Sequence, residues 1–325
     1  MKISIIIPNY NGEKYLKDCL DSLSKQSFTN FEIIIVDNAS TDNSLNIIEE
    51  NYPGIKLIKM DKNYGFSVAV NRGIKESMGD YVVLLNNDTV VFEDWLFNLV
   101  EAIERDSKIF SVSSKMIRYR EKDKIDDAGD EYCLLAWAYK RGDGAFIEKY
   151  IKDCEVFSSC AGAAIYRKKI FGEIGYFDES FFAYMEDVDI SYRAKIHGYR
   201  NFYSSKAKVY HIGSATTGSK YNSFKVKLAA RNNIYVVYKN MPLIQLIINI
   251  PFIFLGFLIK YMFFYTKGFE KEYREGIKEA FKNLKHINKT KFYYKNLFNY
   301  VKIEAIMVVN TFKYFIYKLI KILER

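Results

Sequence analysis

The sequence predicts an α/β protein: a doubly wound, mostly parallel sheet with helices on both faces, followed by a C-terminal helical region. Short apolar segments alternate with segments of helical periodicity over the first 90 residues, which is typical of βαβ units. Polar clusters follow three of the predicted strands, at the sheet edge where ligands of such sheets bind. The composition changes near residue 241, where long apolar and basic segments begin.

The first half repeats a strand-then-helix pattern. Residues 3–7 (ISIII) are an apolar run before the turn signal PNYNG, as expected of a strand buried on both faces. Residues 13–26 follow with apolar side chains at helical spacing. The pattern continues with strands predicted at residues 31–37, 55–60 and 81–85, and with helices predicted from residue 45 onward and at residues 66–77.

The next part, residues 106–165, is less regular. The charged segment 122–132 (KDKIDDAGDEY) indicates a surface loop, and the small apolar residues of 156–166 indicate a strand entering a tight loop. Residues 186–198 have helical character, and residues 201–214 are predicted to form short strands.

The C-terminal region combines apolar and basic segments. Residues 243–259 approach the roughly 20 apolar residues of a spanning helix, although Pro251 and Gln245 weaken that interpretation. Residues 270–285 predict a charged amphipathic helix, and residues 301–323 carry an apolar stripe opposed by lysines, as in a helix lying in a membrane interface. We expect membrane association here; the alternative is a soluble helical domain that packs its aromatic residues internally or dimerises.

Charge and cysteine content narrow the class of protein. The net charge of +9 lies within residues 241–325, which carry 15 Lys and Arg against 6 Asp and Glu. A basic surplus beside an apolar stretch favours an anionic membrane leaflet over nucleic acid, for which no base-reading module is present. The four cysteines form no CxxC pair, and the N-terminal apolar run is too short for a signal peptide. We therefore expect a peripheral or monotopic protein on the cytoplasmic face of the cell membrane.

Several segments together resemble the family 2 glycosyltransferases, and the most similar subgroup is the rhamnosyltransferase-like enzymes of surface polysaccharide assembly. The similarity covers about residues 2–235. It implies a GT-A fold with a catalytic domain at 1–240, divided into a nucleotide-binding half (1–105) and an acceptor-binding half (106–240), and a membrane-associating region at 241–325. The matching segments are SIIIPNYNGEKYL (4–16), VDNASTDNS (36–44), NYGFSVAVNRGI (63–74), GDYVVLLNNDT (79–89), GAAIYRKKIFGEIGYFDESFFAYMEDVDISYR (162–193) and HIGS (211–214).

The resemblance implies contacts with a nucleoside-diphosphate sugar. For Asp37 the alternative is capping of the next helix, and for the first segment it is an ordinary Asn-Gly turn at Asn11-Gly12; for the segment after residue 62 it is a loop and a solvated helix face. The donor-binding residues implied are Pro8, Asn9, Tyr10, Asp37, Asn63, Gly65, Asn71, Asn87 and Asp88.

The resemblance also implies a divalent cation, Mn²⁺ or Mg²⁺. Asn86-Asn87-Asp88 stands where the family has Asp-x-Asp, so Asp88 is the only carboxylate of the motif. His211 is a second expected ligand, and an imidazole accepts Mn²⁺ more readily than Mg²⁺. The alternative for His211 is a structural histidine at a strand end.

On the acceptor side, the resemblance makes Asp187 the general base, with Glu186, Gly162 and Ala163 facing the acceptor. The alternative is that the acidic residues only favour the dipole of their helix. Asp189 and Arg193 are expected to form a structural pair. The roles of two further residues are left open. Trp137 either stacks on a sugar or packs in the core, and Arg231 is a candidate for phosphate contact.

The function expected is an inverting glycosyltransferase that moves a sugar, rhamnose being one candidate, from a nucleoside-diphosphate sugar to a hydroxyl of a lipid-linked or surface glycan. Two alternatives remain open: a polyprenyl-phosphate sugar transferase and a non-catalytic, membrane-tethered nucleotide-sugar binder. Dinucleotide, P-loop and serine-hydrolase classes are excluded by the absence of their glycine-containing motifs.

Overall fold

The computed structural model of the chain describes residues 2–213 and 221–323. Strands and helices alternate through residue 104, except that two strands follow each other between residues 81 and 91, and within the described residues four α-helices follow the last strand. Within the described residues the strands and helices of four or more residues, with the shorter strands, are β1 (Ile3–Asn9), α1 (Glu13–Leu23), β2 (Phe31–Asp37), α2 (Ser44–Asn51), β3 (Lys56–Lys59), α3 (Phe66–Glu76), β4 (Tyr81–Leu85), β5 (Thr89–Val91), α4 (Trp95–Glu104), β6 (Ile109–Arg118), β7 (Ile125–Asp127), β8 (Asp130–Cys133), β9 (Trp137–Lys140), β10 (Cys154–Val156), β11 (Ala163–Arg167), α5 (Phe171–Ile174), α6 (Glu186–Ile196), β12 (Arg200–His211), α7 (Ser223–Asn240), α8 (Leu243–Thr266), α9 (Glu270–Asn283) and α10 (Leu297–Leu323).

One mixed sheet organises the molecule. Its main strand order is β10-β12-β6-β11-β4-β1-β2-β3, with β5 paired to β12 and β7 paired to β6. Strands β4, β1, β2 and β3 are parallel, β6 and β12 are parallel, and β11 is antiparallel to both of its neighbours. The predicted mostly parallel α/β sheet is therefore confirmed, and the carboxyl ends of β1, β2 and β4 meet at one edge.

Helices cover both faces of this sheet because alternate residues of its buried strands point to opposite sides. Ile5 of β1 belongs to the core that packs against α1 and α4, whereas Ile6 belongs to the core that packs against α3, α5 and α6. A strand that is apolar at every position is thus explained by two apolar layers rather than one.

Strand β6 was not predicted, although it lies inside the sheet between β12 and β11. Ser111, Ser113 and Ser114 interrupt its apolar pattern, yet all three are fully buried. The Ser111 hydroxyl is hydrogen-bonded to Ser159 and Asn201, each at 2.8 Å. Buried serines of this kind are stable where hydrogen bonds satisfy them, so hydrophobic periodicity cannot reveal the strand.

The prediction of a surface loop at 122–132 is wrong. Ile125 and Asp127 are fully buried in β7, and Tyr132 is fully buried in β8. The charged residues of this segment made it look solvent-exposed, but the fold turns several of them inward beside the sheet. The consequence is a group of acidic side chains at the predicted acceptor side.

The C-terminal helices pack on β8 and α6 through a shared core. Buried residues of β8, α6, α7 and α10 form one apolar cluster. Polar contacts add to it: the Asn310 amide donates to Glu131 at 2.8 Å, and the Tyr192 hydroxyl donates to Gln245 at 3.1 Å. The helices of residues 241–323 are therefore joined to β8 and α6 by a continuous core.

Helix α8 has its polar side chains toward the protein and its apolar side chains outward. Gln245 and Asn249 are buried, and both donate to the Glu304 carboxylate, at 2.8 and 2.9 Å. Ile244 is 75% exposed and Phe254 is 70% exposed. Among the described residues, α8 is the one helix that is long and apolar enough to cross a membrane.

Candidate active site

Asn9 connects the ends of three parallel strands. Its amide nitrogen donates to Asp37 at 2.8 Å, and its amide oxygen accepts a hydrogen bond from Asn87 at 2.7 Å. Asp37 also accepts from the Ser40 hydroxyl at 2.6 Å and from the Ser40 backbone N–H at 2.9 Å. The polar segments that follow β1, β2 and β4 thus converge, as their positions at strand ends predict. Pro8 lies in β1 opposite Val36, and Tyr10 follows the strand half-exposed.

The loop before α3 contacts the loop before α6. Gly65 has a φ of 88°, and a Cβ there would lie 2.4 Å from the Phe182 carbonyl oxygen, so only glycine fits. The Phe66 N–H donates to the same carbonyl at 2.6 Å. Asn63 holds the turn by accepting from the Gly65 N–H at 2.9 Å. The predicted donor segment therefore borders the segment that carries the predicted base.

Asn71, which the resemblance implies as a donor-binding residue, is bonded to the backbone of the loop around residue 177. It is 2% exposed, and its side-chain amide both donates to the Phe177 carbonyl at 2.8 Å and accepts from the Phe177 N–H at 3.1 Å. Its neighbour Arg72 is exposed and pairs with Glu76 at 3.3 Å. The helical segment of the motif thus fixes the loop around residue 177.

Strand pairing brings Asp88 and His211 together. His211 pairs with Thr89 across β12 and β5, and the Ile212 N–H donates to the Asp88 carbonyl at 3.0 Å. The His211 Nε2 atom lies 3.4 Å from an Asp88 carboxylate oxygen, and its Nδ1 atom lies 2.8 Å from Asp126. Burial lowers the pKa of His211, but the two carboxylates outweigh it and raise this pKa to about 9.

A carboxylate oxygen and an imidazole nitrogen that converge in this way are suitable ligands for Mn²⁺. The Asp88 carboxylate and the His211 imidazole therefore fit a divalent cation as ligands. Asn86 and Asn87 face other groups: the Asn86 N–H donates to the Gly162 carbonyl at 2.8 Å, and Asn87 is bonded to Asn9.

The Gly162 loop joins this cation site to the predicted base. A Cβ at Gly162 would lie 3.0 Å from the Asn86 amide nitrogen, so bulk there would displace the motif. The Asp187 carboxylate accepts from the Val188 N–H at 2.8 Å, and the N–H of Ala161 in the same loop opposes the rise of the Asp187 pKa. Ala163, which the resemblance implies faces the acceptor, is fully buried in the apolar core.

Glu186 and Asp187 begin α6 in a buried environment. Burial raises the pKa of Asp187, although the backbone N–H groups of Val188 and Ala161 oppose the effect. Burial and the Asp187 charge raise the pKa of Glu186 to about 8, and one oxygen of Glu186 has no hydrogen-bond partner among the described residues. Asp189 is bound to Arg193 at 2.8 Å, as expected for a structural pair. A carboxylate with a raised pKa suits the role of a general base.

The loop before α6 is held in an uncommon conformation. Phe182, Tyr184 and Met185 all have positive φ, between 63° and 72°, which costs of order 1–3 kcal/mol per residue and persists only where surrounding groups enforce it. Asn232 of α7 supplies these bonds: its buried amide donates to the carbonyls of Ala183 and Tyr184 at 2.8 and 2.7 Å, and to that of residue 181 at 3.0 Å.

Two residues left open by the sequence have structural partners. Arg231 pairs with Glu279 at 2.8 Å and donates to the Phe181 carbonyl at 2.8 Å, so it holds the same loop. Trp137 is 4% exposed and packs against Tyr314 of α10, which supports the core interpretation. Ser214 of the HIGS segment lies outside the described residues.

No sequence pattern indicated the group of acidic residues near Asp187. Ligand atoms of Asp127, Asp130 and Cys160 all lie within 4.8 Å of one another. Burial raises the pKa of Asp127 to about 7, and burial followed by the charges of Asp127 and Asp187 raises the pKa of Asp130. Only the pairing of β7 with β6 places this segment here, so no local pattern could have revealed it.

The match to known proteins defines the class. The family model described as glycosyl transferase family 2 matches residues 4–175, so the chain belongs to glycosyltransferase family 2. It is 44% identical over 94 residues to the uncharacterized glycosyltransferase YibD of Escherichia coli, covering 28% of this chain and 27% of YibD. It is 32% identical over 141 residues to the glycosyltransferase GlyG of Streptococcus pneumoniae, covering 41% of this chain and 46% of GlyG.

A longer match is to the poly-beta-1,6-N-acetyl-D-glucosamine synthase of Staphylococcus epidermidis, 26% identical over 66% of this chain and 51% of the synthase. The chain thus spans about half or less of the length of these curated relatives. Solved structures share its GT-A fold: GalNAc-T7 with UDP, GalNAc and Mn²⁺ (TM-score 0.59, 18% identity, 73% of this chain and 47% of that chain) and S. aureus TarS 1-349 with UDP-GlcNAc (TM-score 0.56, 19% identity, 94% and 91%).

Proposed function

We propose that this protein transfers a sugar, with inversion, from a nucleoside-diphosphate sugar to a hydroxyl group of a lipid-linked or surface-glycan acceptor. The observation that carries the proposal is the continuity of the site. Asp88 and His211 lie together at 3.4 Å, and the Gly162 loop connects their strand end to Asp187. Structural neighbours with UDP or UDP-GlcNAc support the donor class; the sugar itself, rhamnose included, is left open.

The chemistry is a single displacement at the anomeric carbon. The acceptor oxygen forms a bond to that carbon, its proton passes to the Asp187 carboxylate, and the bond to the diphosphate breaks with its electron pair on the diphosphate oxygen. Asp88 and His211 would hold a divalent cation, which would supply positive charge to neutralise the departing diphosphate. Glu186 stays protonated near neutral pH, because its pKa is raised to about 8, and can donate a hydrogen bond to the acceptor.

We place the acceptor at the membrane because the C-terminal helices have an apolar outward surface. Helix α8 presents apolar side chains outward along its length, and its buried Gln245 and Asn249 bind Glu304 inside the protein. Its other side is packed on the protein: a Cβ at Gly256 would lie 2.1 Å from the Leu135 carbonyl oxygen. A helix with one side on protein and the other apolar is suited to lie in the interface as a monotopic anchor.

The testing experiment compares the wild type with Asp187→Asn. The wild type is screened with UDP-, GDP- and dTDP-sugars in the presence of Mn²⁺ or Mg²⁺, and the variant is measured with the best donor. Loss of the base should lower kcat by about 100-fold or more, while nucleotide affinity measured by calorimetry stays within about twofold. Glu50→Gln is a control, because Glu50 is exposed on α2 and lies outside the segments that carry the family resemblance.

Each alternative has its own outcome in this experiment. Full transfer by the Asp187→Asn variant would remove the base assignment and favour transfer to a polyprenyl phosphate, whose oxygen needs no deprotonation. Binding of donors without turnover by the wild type would favour a nucleotide-sugar binder.

A further inference from the structure

We infer that Asp126 is a positioning residue that orients His211 toward the cation site. The inference rests on the proposed function, because it concerns the cation that the proposed reaction uses. Asp126 lies in the segment 122–132, which the sequence indicated to be a surface loop, and the catalytic scheme does not use it. Its carboxylate nevertheless reaches the ring of His211.

The fold directs this side chain away from its neighbours. In β7 the flanking residues Ile125 and Asp127 are both fully buried, and successive side chains of a strand point to opposite sides. The Asp126 side chain therefore points away from that buried side, and it is 18% exposed. The pairing of β7 with β6, in which Ile117 lies opposite Ile125, fixes it relative to the neighbouring strand β12.

The hydrogen bonds determine which nitrogen of His211 is available. One Asp126 oxygen lies 2.8 Å from His211 Nδ1, and the same oxygen accepts from Lys140 Nζ at 2.9 Å. An aspartate oxygen that accepts from a lysine ammonium group is an acceptor toward the imidazole as well. Nδ1 therefore keeps its proton, and Nε2, which faces Asp88 at 3.4 Å, is the nitrogen that binds a cation after releasing its own proton.

A carboxylate behind a ligating histidine has a measurable effect. It fixes the tautomer and the ring orientation and makes the ligating nitrogen more basic, and its loss typically weakens metal binding by about 10- to 100-fold. This matters more here than in a site with two aspartates, because Asn86 replaces one carboxylate of the Asp-x-Asp motif and leaves a larger share of the binding to His211.

The test measures Mn²⁺ affinity without any donor, from the electron paramagnetic resonance signal of free Mn²⁺. We expect Asp126→Ala to weaken Mn²⁺ binding by about 10- to 100-fold. Asp126→Asn should lose less, because its amide oxygen still accepts from Nδ1–H. Asp123→Ala is the matched control, since Asp123 lies in the same segment and is exposed; it should bind Mn²⁺ as the wild type does.

A purely structural role for Asp126 is tested with Lys140→Met, which removes the Lys140 contact and leaves the His211 contact. We expect this variant to bind Mn²⁺ at least as tightly as the wild type. An equal loss in Lys140→Met and Asp126→Ala, or an unchanged affinity in a folded Asp126→Ala, would overturn the inference.

Folding of each variant is followed by circular dichroism and thermal melting. If Asp126→Ala does not fold, Asp126→Asn decides, and wild-type affinity in that variant overturns the inference. Failure of the wild type to bind Mn²⁺ is a different outcome, since it removes the cation site of the proposed function itself. Tight binding by the wild type with no effect of Asp126 would remove the positioning role alone.

Discussion

Glu186 holds its proton because the fold disfavours its charged form. The pKa of its carboxyl is raised from 4.5 to about 8 by burial and by the charge of Asp187. Between these two pH values the folded protein keeps a proton that the unfolded chain releases. The free energy of unfolding therefore falls as the pH rises through this window.

The variant Glu186→Gln should remove this pH dependence, because glutamine is neutral at every pH. We expect the variant to be more stable than the wild type at pH 9 by at least about 1 kcal/mol, and the difference to shrink toward pH 5. Urea unfolding at pH 5, 7 and 9 measures it. Glu50→Gln, at an exposed position of α2, is the control, and a variant that follows the wild-type slope would show that Glu186 is charged in the folded protein.

At the level of single residues, the sequence predicted where the polar groups gather but not how each is used. Asn9, Asn87 and Asp37 come together because parallel strands end at one edge. The difference between Asn71, whose amide is bonded to the backbone of Phe177, and a ligand-facing asparagine depends on contacts across more than 100 residues. Asp126 was missed for the same reason.

At the level of elements, helix α7 shapes the loop that carries the predicted base. Replacing Asn232 by alanine removes three hydrogen bonds to carbonyls of residues 181–184. Each carbonyl left unsatisfied costs about 1–3 kcal/mol. We expect Asn232→Ala to lower the free energy of unfolding by about 2 kcal/mol or more, and to lower kcat about 10-fold or more through misplacement of Asp187.

Chemical denaturation and steady-state kinetics measure these effects. Asn233→Ala is the matched control: Asn233 is also buried, but its amide donates to the Ala229 carbonyl of its own helix at 2.7 Å. A loss of stability without any change in kcat would show that the loop keeps its shape without Asn232.

Predicted and observed elements agree best where apolar periodicity is strong. The strands at residues 31–37 and 81–85 and the start of α6 lie at the predicted residues. Strand β6 was missed because its buried serines are satisfied by distant partners such as Asn201. A sequence pattern reports the local propensity of a segment. It does not report the distant hydrogen-bond partners that make a polar segment stable inside a sheet.

At the level of the whole molecule, the outward face of α8 should determine membrane binding. The triple variant Ile244→Glu, Ile247→Glu and Phe254→Glu places charge on side chains that are more than half exposed. We expect binding to vesicles of phosphatidylcholine and phosphatidylglycerol to fall by about 100-fold or more, because burial of each such side chain is worth about 1.5–3 kcal/mol.

Vesicle co-sedimentation measures the change, and a triple replacement of the same residues by leucine is the control that keeps the face apolar. A wild-type protein that remains in the supernatant and behaves as a monomer without detergent would instead favour a soluble helical domain.

The core shared by β8, α6 and the C-terminal helices would give this molecule a fixed height and tilt over the surface to which α8 and α10 are proposed to attach. An acceptor carried by a lipid would then be found by lateral diffusion in two dimensions. The distance from the bilayer to Asp187 would then set the length of lipid-linked glycan that can be extended.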